Sequence, residues 1–103
     1  MASSMINKTQ PLLSVETTVL DNQTVAPSYA SFSLDTSRSG KSAIGVLGVS
    51  ITNATTSGSG SSWCVARSWY VVQSTGVFYT SIRNFGSTDA KIKISVTVLY
   101  SDD

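Results

Sequence analysis

The residues of this chain able to do chemistry are few, and their types suit binding better than catalysis. Histidine is absent, which removes the commonest general base, the usual nucleophile triads and most zinc sites. The carboxylates are Glu16, Asp21, Asp35, Asp89, Asp102 and Asp103. A glycosidase needs two carboxyl groups facing each other across a cleft. Asp102 and Asp103 are adjacent but sit at the chain end, and Glu16 with Asp35 is a pair that no surrounding motif supports. No Asp-x-Asp-x-Asp-Gly run offers a calcium loop. Cys64 has no histidine to activate it, and its place beside Trp63 in an apolar run predicts a buried structural thiol. The Gly45 to Gly48 spacing lacks the Lys-Ser/Thr and the following helix of a phosphate loop. The expectation is a protein with no catalytic residues, no cofactor and no metal.

A binding surface is the better candidate. In the run 63–72, Trp63, Val65, Arg67, Trp69 and Val71 share one phase, while Cys64, Ala66, Ser68, Tyr70 and Val72 share the other. One reading makes Trp63 and Trp69 a sugar-stacking platform on which Arg67 hydrogen-bonds a hydroxyl or carboxylate. The plainer reading is core packing. A third notes that both phases are substantially apolar, which is unusual for an antiparallel strand with one solvated face. Something then covers the second face, and another copy of the chain is the economical choice.

The elements that must hold these residues read as strands throughout. Residues 91–100 alternate strictly: Ile92, Ile94, Val96, Val98 and Tyr100 against Lys91, Lys93, Ser95, Thr97 and Leu99, which predicts one buried face. Leu13, Val15, Thr17 and Val19 alternate with Ser14, Glu16 and Thr18, a half-buried strand ending at a turn over Asp21, Asn22 and Gln23. Ala30, Phe32 and Leu34 alternate with Tyr29, Ser31, Ser33 and Asp35, a second strand. In 43–52, Ile44 and Val46 lie in one phase and Leu47, Val49 and Ile51 in the other, a slip beside glycine that marks a β-bulge. Residues 63–72 and 77–83 are further strands around a turn at 73–76. With the turn at 84–89 they make an antiparallel meander the simplest arrangement of the last three strands. Residues 36–42 and the Ser/Gly-rich 53–62 are exposed loops, and 1–11 is an arm or peripheral segment.

The composition agrees with this plan. The chain has 103 residues, a 41% apolar fraction and only 13% charged residues, so one domain with a modest core and a Ser/Thr-rich surface is expected. A net charge of +1 spread over seven Lys and Arg leaves no electrostatic footprint for nucleic acid or an anionic membrane. Weak charge also favours self-association. One cysteine permits no intrachain disulfide. The opening residues do not read as a signal peptide, and no apolar run approaches the ~18 residues that span a bilayer. Asn7, Asn22 and Asn53 each begin an N-glycosylation triplet, matches that a Ser/Thr-rich chain throws up by chance. The fold class expected is all-β: a single antiparallel β-sandwich over 12–103, jelly-roll-like or Greek key, with roughly six to eight strands.

From about residue 61 to residue 100 the chain resembles small β-modules of bacteriophage and prophage tail-fibre and virion structural proteins. The resemblance rests on the Arg83-Asn84-Phe85-Gly86-Ser87 turn, the Val/Ile/Thr strand ending Val98-Leu99-Tyr100, and Ser68-Trp69-Tyr70-Val71 before a glycine-bearing hairpin. It implies a non-enzymatic virion part, such as a tail-fibre tip, receptor-binding head or accessory fibre. It also implies a homotrimer, made in the host cytoplasm, that recognises a host-surface glycan or protein. The alternative expectation is a monomeric bacterial carbohydrate-binding or adhesin-type module using Trp63, Arg67 and Trp69. Neither reading calls for nucleic acid or membrane insertion.

Overall fold

The strictly alternating strand near the C-terminus is the spine of the molecule. In the computed structural model, which describes residues 12–56 and 63–103 (53–56 by their backbone only), Ala90, Ile92, Ile94, Val96, Val98 and Tyr100 are all buried. The arm expected over residues 1–11, and 57–62 of the expected loop, lie outside the described residues. Six strands are described: β1 (Leu13–Val25), β2 (Ser28–Asp35), β3 (Lys41–Thr56), β4 (Cys64–Val72), β5 (Val77–Asn84) and β6 (Ala90–Asp102). They form two three-stranded sheets, ordered β1-β6-β3 and β2-β5-β4, with every pairing antiparallel. This is a small β-sandwich, as the alternation required.

The core lies between the sheets. The β6 side chains meet Phe78 and Ile82 of β5, Cys64 of β4 and Val25 of β1, with Ala30, Phe32 and Leu34 of β2 packed around them. Burial pushes the Cys64 thiol up from its ordinary range, so the sulfur is a small apolar filler rather than a nucleophile.

Three sequence expectations are corrected. The last three strands are not a meander, because β6 leaves β5 and inserts between β1 and β3 in the other sheet. Asn84 makes the crossing possible. Its buried side-chain amide donates to the carbonyls of Val25 (3.0 Å) and Thr88 (2.9 Å), while its Oδ1 accepts from the Gly86 amide. The turn expected at 21–23 is a bulge inside a longer strand, where the register slips between Leu20 and Gln23 and Asn22 takes φ 55°. Asparagine tolerates that left-handed conformation better than most residues. Residues 53–56 are strand rather than loop, paired with the start of β6.

The structure also sets the phase of β1, which the alternation left open. Glu16 and Thr18 point into the sandwich, while Leu13 (59% exposed), Val15 (55%) and Val19 (51%) point out. Their register partners on β6, including Leu99 opposite Val15 and Thr97 opposite Thr17, belong to its outward set. Polar groups fill the inner side instead. Arg38 Nε donates to Glu16 Oε1 (2.9 Å) and its Nη2 to Thr18 Oγ1 (2.8 Å), while Lys41 Nζ reaches Ser14 Oγ (2.9 Å). This end of the sandwich is built inside out.

The bulges that the glycines announced are present. Register slips fall between Ala43 and Gly45 and between Val46 and Gly48, leaving Ile44 and Leu47 as the extra, exposed residues. A side chain at Gly45 or Gly48 would meet open space. The outer side of the β1-β6-β3 sheet is, among its described residues, mostly apolar or hydroxylated, with Lys91 and Lys93 at one end.

Candidate functional site

The outer side of the other sheet has different chemistry, and it begins at a bulge. In β4 the register with β5 slips between Ala66 and Ser68, so Arg67 is an inserted residue with no partner in the ladder. The Thr80 hydroxyl donates to the Ser68 carbonyl (2.8 Å) and pins the distortion. A bulge re-aims its side chain, and here it turns Arg67 toward β2. Arg67 Nη1 donates to the Tyr29 hydroxyl at 3.1 Å, and Arg83 Nη1 of the central strand donates to the same oxygen at 2.7 Å. Their guanidinium carbons lie 5.8 and 5.0 Å from the Tyr29 ring centre. Arg83 also covers the Phe85 ring at 4.7 Å, and Phe85 stacks on Trp63 with ring centres 4.5 Å apart.

The hydrogen bond from Arg83, aided by the charge of both arginines, holds the Tyr29 phenol below its ordinary range. The ion pairs among the described residues are both made by Glu16, to Arg38 and Lys41, so neither Arg67 nor Arg83 is matched by a described carboxylate. Arg83 Nε is buried with no hydrogen-bond partner among the described residues.

Next to this cluster lies an open cleft of about 180 Å³, lined by Ser31, Ser68, Ser81, Tyr70 and Tyr79 among others. Tyr70 and Tyr79 face each other across the β4–β5 hairpin, their rings stacked at 5.3 Å. Tyr70 is 58% exposed. Cations, aromatic faces and hydroxyls thus share one side of one sheet. Among the described residues, no group of three or more acidic, histidine or cysteine side chains is arranged to hold a metal ion.

The structure separates the residues that the sequence grouped. Trp63 and Arg67 join the same outer surface through Phe85 and Arg83. Trp69 does not, because the bulge reverses the phase after Arg67. Its register partner is Thr80, one of the inward-facing residues of β5. The shared face of Trp63, Arg67 and Trp69 is thereby replaced by one made of Trp63, Arg67, Tyr29, Arg83, Tyr70 and Tyr79. The two hairpin tyrosines were within reach of sequence reasoning, since they lie equidistant from the 73–76 turn. Tyr29 was not, because its neighbour Arg83 lies 54 residues along the chain. Compared with models of protein families, with curated proteins and with solved structures, the chain matches none.

Proposed function

We propose that this chain is a non-enzymatic virion module of the tail-fibre or receptor-binding kind, which assembles with copies of itself and recognises a host surface. The observation that carries the reading is the inverted phase of β1. Leu13, Val15 and Val19 stand about half exposed on the outer side of the sheet, Ile44 and Leu47 are exposed at the bulges of β3, and Glu16 is turned inward. Burying half of such a side chain contributes roughly 1 kcal/mol apiece. A lone protomer cannot bury them by shifting the strand one residue, because the exchange of faces would turn Leu20 and the fully buried Val25 outward. A second copy of the chain removes that conflict.

The surface suits a copy of itself. The net charge of +1 imposes little repulsion, and glycines at 45 and 48 let another backbone approach closely. Strands of 13, 13 and 16 residues offer a face on the order of 600 Å², against roughly 800 Å² per partner in a standard interface. The resemblance to phage modules supports three copies.

Light scattering on the purified protein tests the reading. A trimer is expected at micromolar concentration, and Val15→Lys with Leu47→Lys should give a folded monomer. A wild-type protein that is itself monomeric would count against assembly and favour the second reading, a monomeric carbohydrate-binding module. The aromatic and cationic surface of the β2-β5-β4 sheet is the observation in favour of that alternative.

A further inference from the structure

The β2-β5-β4 surface offers more than generic adhesion. Tyr29 gathers two guanidinium groups around one oxygen, and each guanidinium carries five N–H donors. The tyrosine accepts one donor from each, and no described carboxylate takes the others. Like charges held this close repel, so the arrangement is poised for an anion. The Arg83 stack on Phe85 and Tyr29 holds one fork still and lowers the cost of ordering it on binding.

Beyond the forks, the surface becomes neutral and sugar-like in its requirements. Arg83, Ser81 and Tyr79 alternate outward along β5, so the backbone spans about 13 Å from Arg83 to Tyr79. Ser31 and Ser68 flank Ser81 on the neighbouring strands, which places three hydroxyls across the cleft between the charged and aromatic ends. Exposed tyrosine rings suit the apolar C–H faces of a pyranose, and serine hydroxyls exchange hydrogen bonds with its hydroxyls. An arginine fork pairs with a carboxylate through two parallel hydrogen bonds.

We propose that this surface binds an acidic oligosaccharide, its carboxylate on Arg67 and Arg83 and its next sugar in the cleft against Tyr70 and Tyr79. The span fits a short oligosaccharide better than a single sugar. The assignment deepens the recognition half of the function proposed above and leaves the assembly half untouched.

Titration calorimetry and ligand-observed NMR with tri-galacturonate and sialyllactose, against galactotriose and lactose as neutral controls, test the assignment. The acidic sugars should bind, with affinity falling as salt rises, and the neutral ones should bind at least tenfold more weakly. Arg67→Gln with Arg83→Gln should abolish the difference between acidic and neutral sugars. Tyr70→Ala should weaken both kinds without removing the preference. Because Arg83 is packed on two rings, Arg67→Gln alone serves as a milder variant, and circular dichroism checks that each protein is folded. Equal binding of acidic and neutral sugars, no binding of either, or equally tight binding of a poly-glutamate peptide would overturn the assignment. A trimer that binds no acidic sugar sinks this inference and spares the assembly reading, while a monomer that binds one does the reverse.

Discussion

Asn84 shows how much one side chain can carry in a sandwich this small. Its amide is 2% exposed and bonds two carbonyls, one on β1 and one in the turn before β6. Asn84→Ala leaves the buried Val25 carbonyl without this donor, at about 1–3 kcal/mol. Urea unfolding should show a loss of at least that size with an unchanged slope. Glu16 is a different case, because its contribution depends on pH. The Arg38 hydrogen bond, with help from Lys41, lowers its pKa from the ordinary value of 4.5. A carboxylate depressed in the folded state adds stability above its unfolded pKa, and that stability is lost as pH falls through the folded value. Glu16→Gln should therefore be less stable than wild type at neutral pH, and the two denaturation midpoints should converge as pH falls through the lowered folded pKa. Asp35, also lowered, by hydrogen bonds from Ser37, leaves both proteins with some residual loss in acid.

At the level of elements, the bulges decide what each surface presents. Without the bulge at Arg67, residues 63–71 would keep one phase and bring Trp63 and Trp69 to the same side. With it, Trp69 turns away and Tyr70 is aligned with Tyr79. The hairpin that sets this alignment closes through Gly76, whose amide donates to the Val72 carbonyl (2.7 Å) and whose own carbonyl accepts from both the amide and the hydroxyl of Thr36. Gly76 has φ +73°, and a Cβ there would come within 2.7 Å of the Ser37 Cβ. Gly76→Ala should thus cost more than the ~1–2 kcal/mol of the left-handed conformation alone, read as a lower thermal midpoint. Gly45→Ala meets open space, so the same replacement there should leave the fold of a single protomer undisturbed.

For the whole molecule, the two sheets divide the work. One turns an apolar, glycine-bearing side outward, and the other a cationic and aromatic one. If copies associate through the first, folding and assembly are linked, and the thermal midpoint rises with protein concentration by mass action. Thermal scans over a hundredfold dilution should show that rise for wild type and lose it for Val15→Lys with Leu47→Lys. A midpoint independent of concentration in both proteins would argue for a self-sufficient monomer.

The chain by itself determined the all-β class, the β6 core face, the alternation of β2 and a bulge in the glycine-bearing part of β3. Each is a local pattern, written in alternation or in the break of an alternation over a few residues. What only the tertiary structure decided depends on distant partners. The phase of β1 was legible as a period but not as a direction, because the cations that satisfy Glu16 come from Arg38 and Lys41 beyond the next strand. The insertion of β6 between β1 and β3 rests on strand pairings that no local pattern encodes. The arginine pair on Tyr29 likewise needs three strands brought side by side, one of them bulged, before its residues meet. Alternation tells a strand that it has two faces, and only the neighbours it finds decide which one is turned to the core.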